Sequence, residues 1–252
     1  MPSFGLRAAA IVVALLAGLC GPARSDQPAG FDRAQRAEII EIVREAMKAD
    51  PSILRDAIAA LQADEARAQA ATARKAIGEA GPALAREPGD PVAGNPDGDV
   101  TLVAFYDVRC PYCRSMLPVE SSLLAQDPKL RVVFKDIPIL GPPSVLGARA
   151  VLAAQRQGGY ARMREAVMKG PQQVTEDTLH VAAEASGLDW PRLRQDMDSP
   201  ELLARINVNL DLAHRLGVEG TPVYVIGTKL LPGAVGLRDL QSAVAEARAA
   251  KG

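Results

Sequence analysis

The chain has 252 residues, 48% hydrophobic and 4% aromatic, with 29 basic against 30 acidic side chains and a formal net charge of −1. That length suits one globular domain of ordinary size plus an additional segment. Near-neutral charge without a dense Lys/Arg run argues against a nucleic-acid partner.

At the start, Arg7 precedes AAAIVVALLAGLC and then the small residues of GPARSDQP. This order of charged, apolar and small-residue regions predicts a secretory signal peptide over residues 1–25, cleaved near Ala23 or Ser25. Its removal takes Arg7 and Arg24 and no acid, leaving 27 basic against 30 acidic side chains. A lipoprotein signal with Cys20 as the lipidated residue is the rival reading, but Leu19 stands where such signals carry Gly, Ala or Ser. With residues 1–25 gone, Cys110 and Cys113 are alone in an oxidising compartment. No other apolar stretch approaches the ~18–20 residues of a membrane span. The expectation is export to the periplasm with no span in the mature chain.

From Asp32, a plausible N-cap, DRAQRAEIIEIVREAMKAD places Ile39, Ile40, Ile42, Val43, Ala46 and Met47 mostly on one helical stripe. Asp50-Pro51 breaks that helix and starts another, with Ile53, Leu54, Ala57, Ile58 and Leu61 as its apolar face and mostly alanine beyond. Such a thin seam buries too little area to form a core alone. Residues 26–80 therefore read either as a helical segment packed on the main domain or as one that assembles with its counterpart in another subunit. Gly78–Asp99, dense in Gly and Pro, marks a linker or domain edge.

VTLVAFY (Val100–Tyr106) is expected to be a buried strand, Pro111 to about Gln126 a helix, and LRVVFKDIP (Leu130–Pro138) a second buried strand. Together they form a βαβ unit with parallel strands. Residues from Ser144 to about Leu216 read as helices broken at Gly158-Gly159, Gly170-Pro171, Gly187 and Ser199-Pro200. TPVYVIGTKLLPG gives two short strands around Gly227, and LRDLQSAVAEARAA a closing helix. His180, His214 and Trp190 read as ordinary helix residues.

The chemistry concentrates at Cys110-Pro111-Tyr112-Cys113. A structural zinc site wants about four ligands, and the two histidines have no motif spacing from this pair. A disulfide between residues three apart removes little loop entropy, so it would be a weak staple. Redox exchange remains. Cys110 falls at a strand–helix junction, where unpaired N–H groups and the helix dipole favour a thiolate. Cys113, one turn later, is placed to attack a mixed disulfide and release the partner. Pro222, after Thr221, opens a strand with no N–H to give. Asp107 and Lys135, charged residues in apolar strand contexts, are candidates for a buried ion pair or proton relay near Cys113; the alternative is that both are solvated at strand ends.

FYDVRCPYC, VVFKDIPILGPPS and GVEGTPVYVIG, in that order, resemble the DsbA-like branch of the thioredoxin superfamily from about Pro91 to the C-terminus. The N-terminal helices with CPYC further resemble its ScsC-like (suppressor of copper sensitivity) subgroup, whose members can oligomerise through such a segment. The resemblance implies an α/β thioredoxin fold over residues 81–252, with a helical insertion at about 144–216. It also implies Cys110 as the attacking and Cys113 as the resolving cysteine, and a cis Pro222 facing the pair. Two departures matter. Pro111-Tyr112 replaces the Pro-His of strong oxidases, and Thr221 stands where those oxidases carry valine and isomerases carry threonine. The expected activity is thiol–disulfide exchange on exported proteins, leaning to isomerase or reductase, with a membrane redox partner and no cofactor or resident metal. A DsbA-type dithiol oxidase and a copper(I) carrier, using two soft thiolates, are the alternatives.

Overall fold

The computed structural model describes residues 30–250, so the expected signal peptide and Cys20 lie outside the described residues. Contacts divide the chain into two compact units, one ending at Leu61 and one beginning at Gln62.

In the first unit, α1 (Arg33–Ala49) opens on a capping box. The Asp32 carboxylate accepts the Gln35 N–H at 2.9 Å, and the Gln35 side chain accepts the Asp32 N–H at 3.0 Å, which satisfies two donors that a helix start leaves orphaned. Asp50 stops α1, and its carboxylate takes the N–H and hydroxyl of Ser52 at the first turn of α2 (Ser52–Ala85). No residue of α1 is buried. Ile40, Ile42, Ile53, Leu54 and Leu61 are all about half exposed, so the apolar stripe legible in the sequence is present and uncovered in the single chain.

The second unit takes in the rest of α2, which runs past residue 80 to Ala85 and is interrupted at Gly81 (φ 46°), directly before Pro82. Proline's ring disfavours helical backbone in the residue before it, and glycine alone tolerates this φ cheaply. The α2 residues Ile77 and Leu84 are buried with Val103, Phe105, Val133, Leu212 and Val225. By contacts the division therefore falls between Leu61 and Gln62, well before the 80/81 position expected from composition.

Five strands form one sheet in the order β1-β3-β2-β4-β5: β1 (Val92–Gly94), β2 (Val100–Tyr106), β3 (Leu130–Asp136), β4 (Val223–Ile226) and β5 (Lys229–Pro232). β2 and β3 are parallel, in register from Val100↔Leu130 to Tyr106↔Asp136, and the other neighbours pair antiparallel. Side chains alternate between faces. Leu102, Ala104, Tyr106, Phe134 and Tyr224 enter the larger core with α3 (Pro111–Gln126) and the insertion helices, while Val103, Phe105 and Val133 face the end of α2. β1 was not expected. It lies inside the Gly/Pro stretch read as linker, where only three residues add to the edge of β3. The insertion is five helices, α4 (Pro142–Gln155), α5 (Tyr160–Lys169), α6 (Glu176–Ala185), α7 (Trp190–Met197) and α8 (Pro200–Arg215), and α9 (Leu237–Ala249) closes the chain. Trp190 stacks on His180 at 4.9 Å.

Candidate active site

The C-terminal end of β2, the middle strand of the sheet, delivers the cysteine pair. After Tyr106 the chain turns through Asp107–Arg109, with the Cys110 N–H donating to the Asp107 carbonyl at 3.1 Å. Cys110 then sits as the N-cap of α3 with extended backbone (φ −64°, ψ 121°), and Pro111 occupies the first helical position, where a missing N–H costs nothing. The unpaired N–H groups of that first turn lie beside the Cys110 sulfur's own residue. Tyr112 is 65% exposed, on the outer side of the helix.

Just before β4, which pairs with β2, the Thr221–Pro222 peptide bond is cis. The Cys110 thiol donates to the Thr221 carbonyl at 3.1 Å, so residues 111 positions apart in sequence meet at one point. Both cysteines are free thiols. Cys113 is the more deeply placed, 1% exposed against 5% for Cys110. Burial pushes the Cys113 thiol far up, and hydrogen bonds from the Asp107 backbone and the Thr221 side chain oppose that shift without cancelling it.

Asp107 and Lys135, the candidates for an ion pair or relay, are not paired with each other. Both are buried, not solvated, but they serve different parts of the molecule. The Asp107 carboxylate accepts the N–H of Arg109 at 2.8 Å and of Leu140 at 3.1 Å, fixing the turn before Cys110. The Lys135 ammonium donates to Asp90 at 2.6 Å and to the Ala83 carbonyl at 3.0 Å. The reason is the pleat: Lys135 pairs in register with Phe105, whose side chain enters the core on the α2 side of the sheet.

Several supporting residues carried no motif. Arg114 donates to the carbonyls of Val108, Gly170 and Pro171, tying the cysteine turn to the loop after α5. Arg109 donates to the Leu140 carbonyl at 2.6 Å. Beyond Leu140 lies an open apolar groove of about 820 Å³ lined by Pro138, Ile139, Pro142, Val145, Leu146 and Val174, among others. Beneath α3, Glu120 accepts from Arg164 at 2.8 Å and from Tyr224 at 2.9 Å. Asp136 accepts from Tyr106 at 2.6 Å and from Tyr160 at 3.0 Å. A charge at Glu120, seven residues after Cys113 on an otherwise apolar helix face, was the one signal the sequence offered for this network. Among the described residues no group of three or more His, Cys, Asp or Glu is gathered as a metal site, and no helix is long and apolar enough to cross a membrane.

A CxxC pair at the N-terminus of a helix, after the first central strand and opposite a cis-proline, defines a thioredoxin-fold dithiol protein with a helical insertion. The description DSBA-like thioredoxin domain matches residues 101–245, and the chain belongs to that family. Residues 35–68 match the copper resistance protein ScsC N-terminal domain. A thioredoxin-like oxidoreductase of Silicibacter pomeroyi DSS-3 is 41% identical, with 67% of this chain and 98% of that one covered and a TM-score of 0.65. ScsC of Proteus mirabilis, in a transitional conformation, is 29% identical over 88% of this chain and 98% of its own, with a TM-score of 0.64. Na(+)/H(+) antiporter NhaA 3 of Salinispora tropica is 28% identical over 160 residues, 63% of this chain. The chain spans about a quarter of the length of the first curated relatives it matches.

Proposed function

We propose that this protein is a periplasmic thiol–disulfide oxidoreductase that exchanges disulfides with exported proteins through Cys110 and Cys113, with isomerisation or reduction as its main direction. The observation that carries the reading is the Cys110 sulfur at a helix N-terminus, 3.1 Å from the Thr221 carbonyl of a cis-proline loop. An extended substrate chain beside Thr221 finds main-chain partners there, and its cysteine comes into line with Cys110.

In the reducing direction, the Cys110 thiolate attacks a substrate disulfide and one substrate sulfur leaves as thiolate. Cys113, buried and reached only from within the site, then attacks the Cys110 sulfur. The Cys110–Cys113 bond forms, the bond to substrate breaks, and the electron pair leaves with the substrate sulfur. An isomerase uses the first step and lets a second substrate thiol reverse it. Threonine before Pro222 and the absence of histidine between the cysteines support that direction over strong oxidation. The apolar groove beyond Leu140 supports unfolded, hydrophobic chains as substrates.

Within residues 26–80, we assign the part before Gln62 to assembly of identical subunits. The uncovered apolar residues Ile39, Ile40 and Val43 of α1 and Ile53 and Leu61 of α2 support this, since clustered exposed large apolar residues are unusual on a monomer's surface.

The test is reactivation of scrambled, fully oxidised ribonuclease by the mature protein beside a version lacking residues 26–61, a cut that spares Ile77 and Leu84. Recovery by the full chain alone supports an isomerase that needs its N-terminal segment. Failure of both, with oxidation of a reduced peptide by both, makes it an oxidase. Cys113→Ser is expected to accumulate mixed disulfides with exported proteins, visible on non-reducing gels. A variant that traps nothing and loses copper(I) instead would favour metal carriage.

A further inference from the structure

We propose that the Tyr106 and Tyr160 hydroxyls and the Asp136 carboxyl form a proton-operated latch. It holds α5 of the insertion on the sheet while a proton is shared among the three groups, and releases it when that proton leaves.

Three short contacts close a triangle. The Tyr106 hydroxyl lies 2.6 Å from Asp136 Oδ1, the two phenol oxygens lie 2.7 Å apart, and the Tyr160 hydroxyl lies 3.0 Å from Asp136 Oδ2. All three residues are buried. Each phenol has one proton to give, and burial holds both phenols in their protonated form. An ionised carboxylate brings none, so two protons must serve three contacts. With both phenols donating to the carboxylate, the 2.7 Å contact between them sets lone pair against lone pair. In a dry interior that mismatch costs more than it would in water. A proton on Asp136 fills the gap. One carboxyl oxygen then donates, one phenol turns to the other, and every edge carries a hydrogen bond.

The surrounding charges are placed to let Asp136 keep that proton. Arg164 of α5, the nearby cation, is paired with Glu120 of α3 at 2.8 Å and lies over the Tyr106 and Phe134 rings. Asp107, in the turn after β2, adds a like charge. Asn209 of α8 donates to the Asp136 backbone carbonyl at 3.3 Å, and Lys135 is committed to Asp90. Burial accordingly raises the Asp136 carboxyl, while the two phenols and Arg164 pull the other way.

Tyr160 is the first residue of α5, whereas Tyr106 and Asp136 pair in register at the ends of β2 and β3. The triangle therefore ties the insertion to two neighbouring strands. The far end of α5 is held separately, by Arg114 donating to the carbonyls of Gly170 and Pro171. Loss of the proton empties one edge at the near end, so α5 opens there first. Once opened, Asp136 meets water and regains an ordinary acidity near 4. The closed latch, with its raised value, is thus fully stabilised by the proton below pH ~4 and loses that contribution as pH rises through about 6.

Hydrogen–deuterium exchange of the mature protein, read by mass spectrometry and corrected for its intrinsic pH dependence, tests the latch. Peptides of α5 should open about 10-fold more often at pH 8 than at pH 5. They should also exchange faster than those of α9 and respond less to low urea, as a local opening does. In Asp136→Asn the amide donates permanently where the protonated carboxyl did, so α5 should stay equally protected at both pH values. Tyr160→Phe keeps the Tyr106–Asp136 bond but breaks the triangle, and should leave α5 exchanging fast at both. That variant remains informative if Asp136→Asn fails to fold. Equal protection of α5 at pH 5 and pH 8 in the unsubstituted protein overturns the latch. So does a pH response that survives in Tyr160→Phe, or α5 exchange that matches α9 in rate and urea dependence.

Discussion

Lys135 and Asp90 form an ion pair with almost no exposure on either side chain. Such a pair contributes little net stability when complete, but losing one partner strands a buried charge at a cost of about 3–5 kcal/mol. Lys135→Met is therefore expected to lower unfolding free energy by that amount in urea titrations, while the folded fraction resolves mixed disulfides at an unaltered rate and pH profile. A shifted profile would return Lys135 to the relay that its sequence context suggested. Asp136 behaves differently. Burial raises its carboxyl to about 6, against the pull of Tyr106, Tyr160 and Arg164. Because the folded value exceeds the ordinary one near 4, the protonated carboxyl stabilises the fold fully below pH ~4, and the benefit is lost as pH rises through about 6. Asp136→Asn should remove that loss, shrinking the stability difference between pH 4 and pH 7.5 by up to roughly 3 kcal/mol. Equal pH dependence in both proteins, measured by urea unfolding, would sink this account. Sequence context singled out Lys135, but neither Asp90 nor Asp136. The partners of Lys135 and Asp136 were not legible, because Asp90 lies 45 positions before Lys135 and Tyr160 lies 24 after Asp136.

At the scale of elements, β2, α3, β4, β5 and α9 stand where the sequence put them; β2 is a continuous apolar run, and the others have a proline or glycine at a border. The cysteine turn was legible for the same reason: strand, CxxC and helix are contiguous. What escaped was set by distant contacts. β1 is three residues long and exists through pairing with β3. The wall behind Cys110 depends on Gly147 in α4, where an added Cβ would fall 2.6 Å from a methyl of Val108. Valine is β-branched and stiff, so the clash has no cheap escape. Gly147→Ala is expected to cost about 1–3 kcal/mol by overpacking and to move Val108, two residues before Cys110. Thiol alkylation of Cys110 should change in rate along with stability. A destabilised protein with an unchanged alkylation rate would show that the turn is insulated from the insertion.

For the whole molecule, the decisive question is where the catalytic unit begins. Composition drew the line at residue 80, because alanine dominates after Leu61 and glycine and proline follow Ile77. Contacts draw it at Gln62, and Ile77, ahead of the residue-80 line, is a core residue; past that line Leu84 is core as well and Asp90 neutralises Lys135. These amount to about 1.5–3 kcal/mol for each buried aliphatic side chain, with the stranded-charge cost in addition. A chain beginning at Gln62 should therefore unfold cooperatively, with the midpoint of the full protein at equal low concentration. A chain beginning at Pro91 keeps every residue of the sheet and both cysteines, yet loses Ile77, Leu84, the Ala83 carbonyl and Asp90 together. It is expected to be largely unfolded, or to recover only when Lys135 is also replaced by methionine. If the chain from Pro91 matches the chain from Gln62 in thermal unfolding, the end of α2 is ornament on the sheet. If instead the Lys135→Met change selectively rescues it, the buried ion pair is the joint that makes residues 62–90 part of the thioredoxin unit.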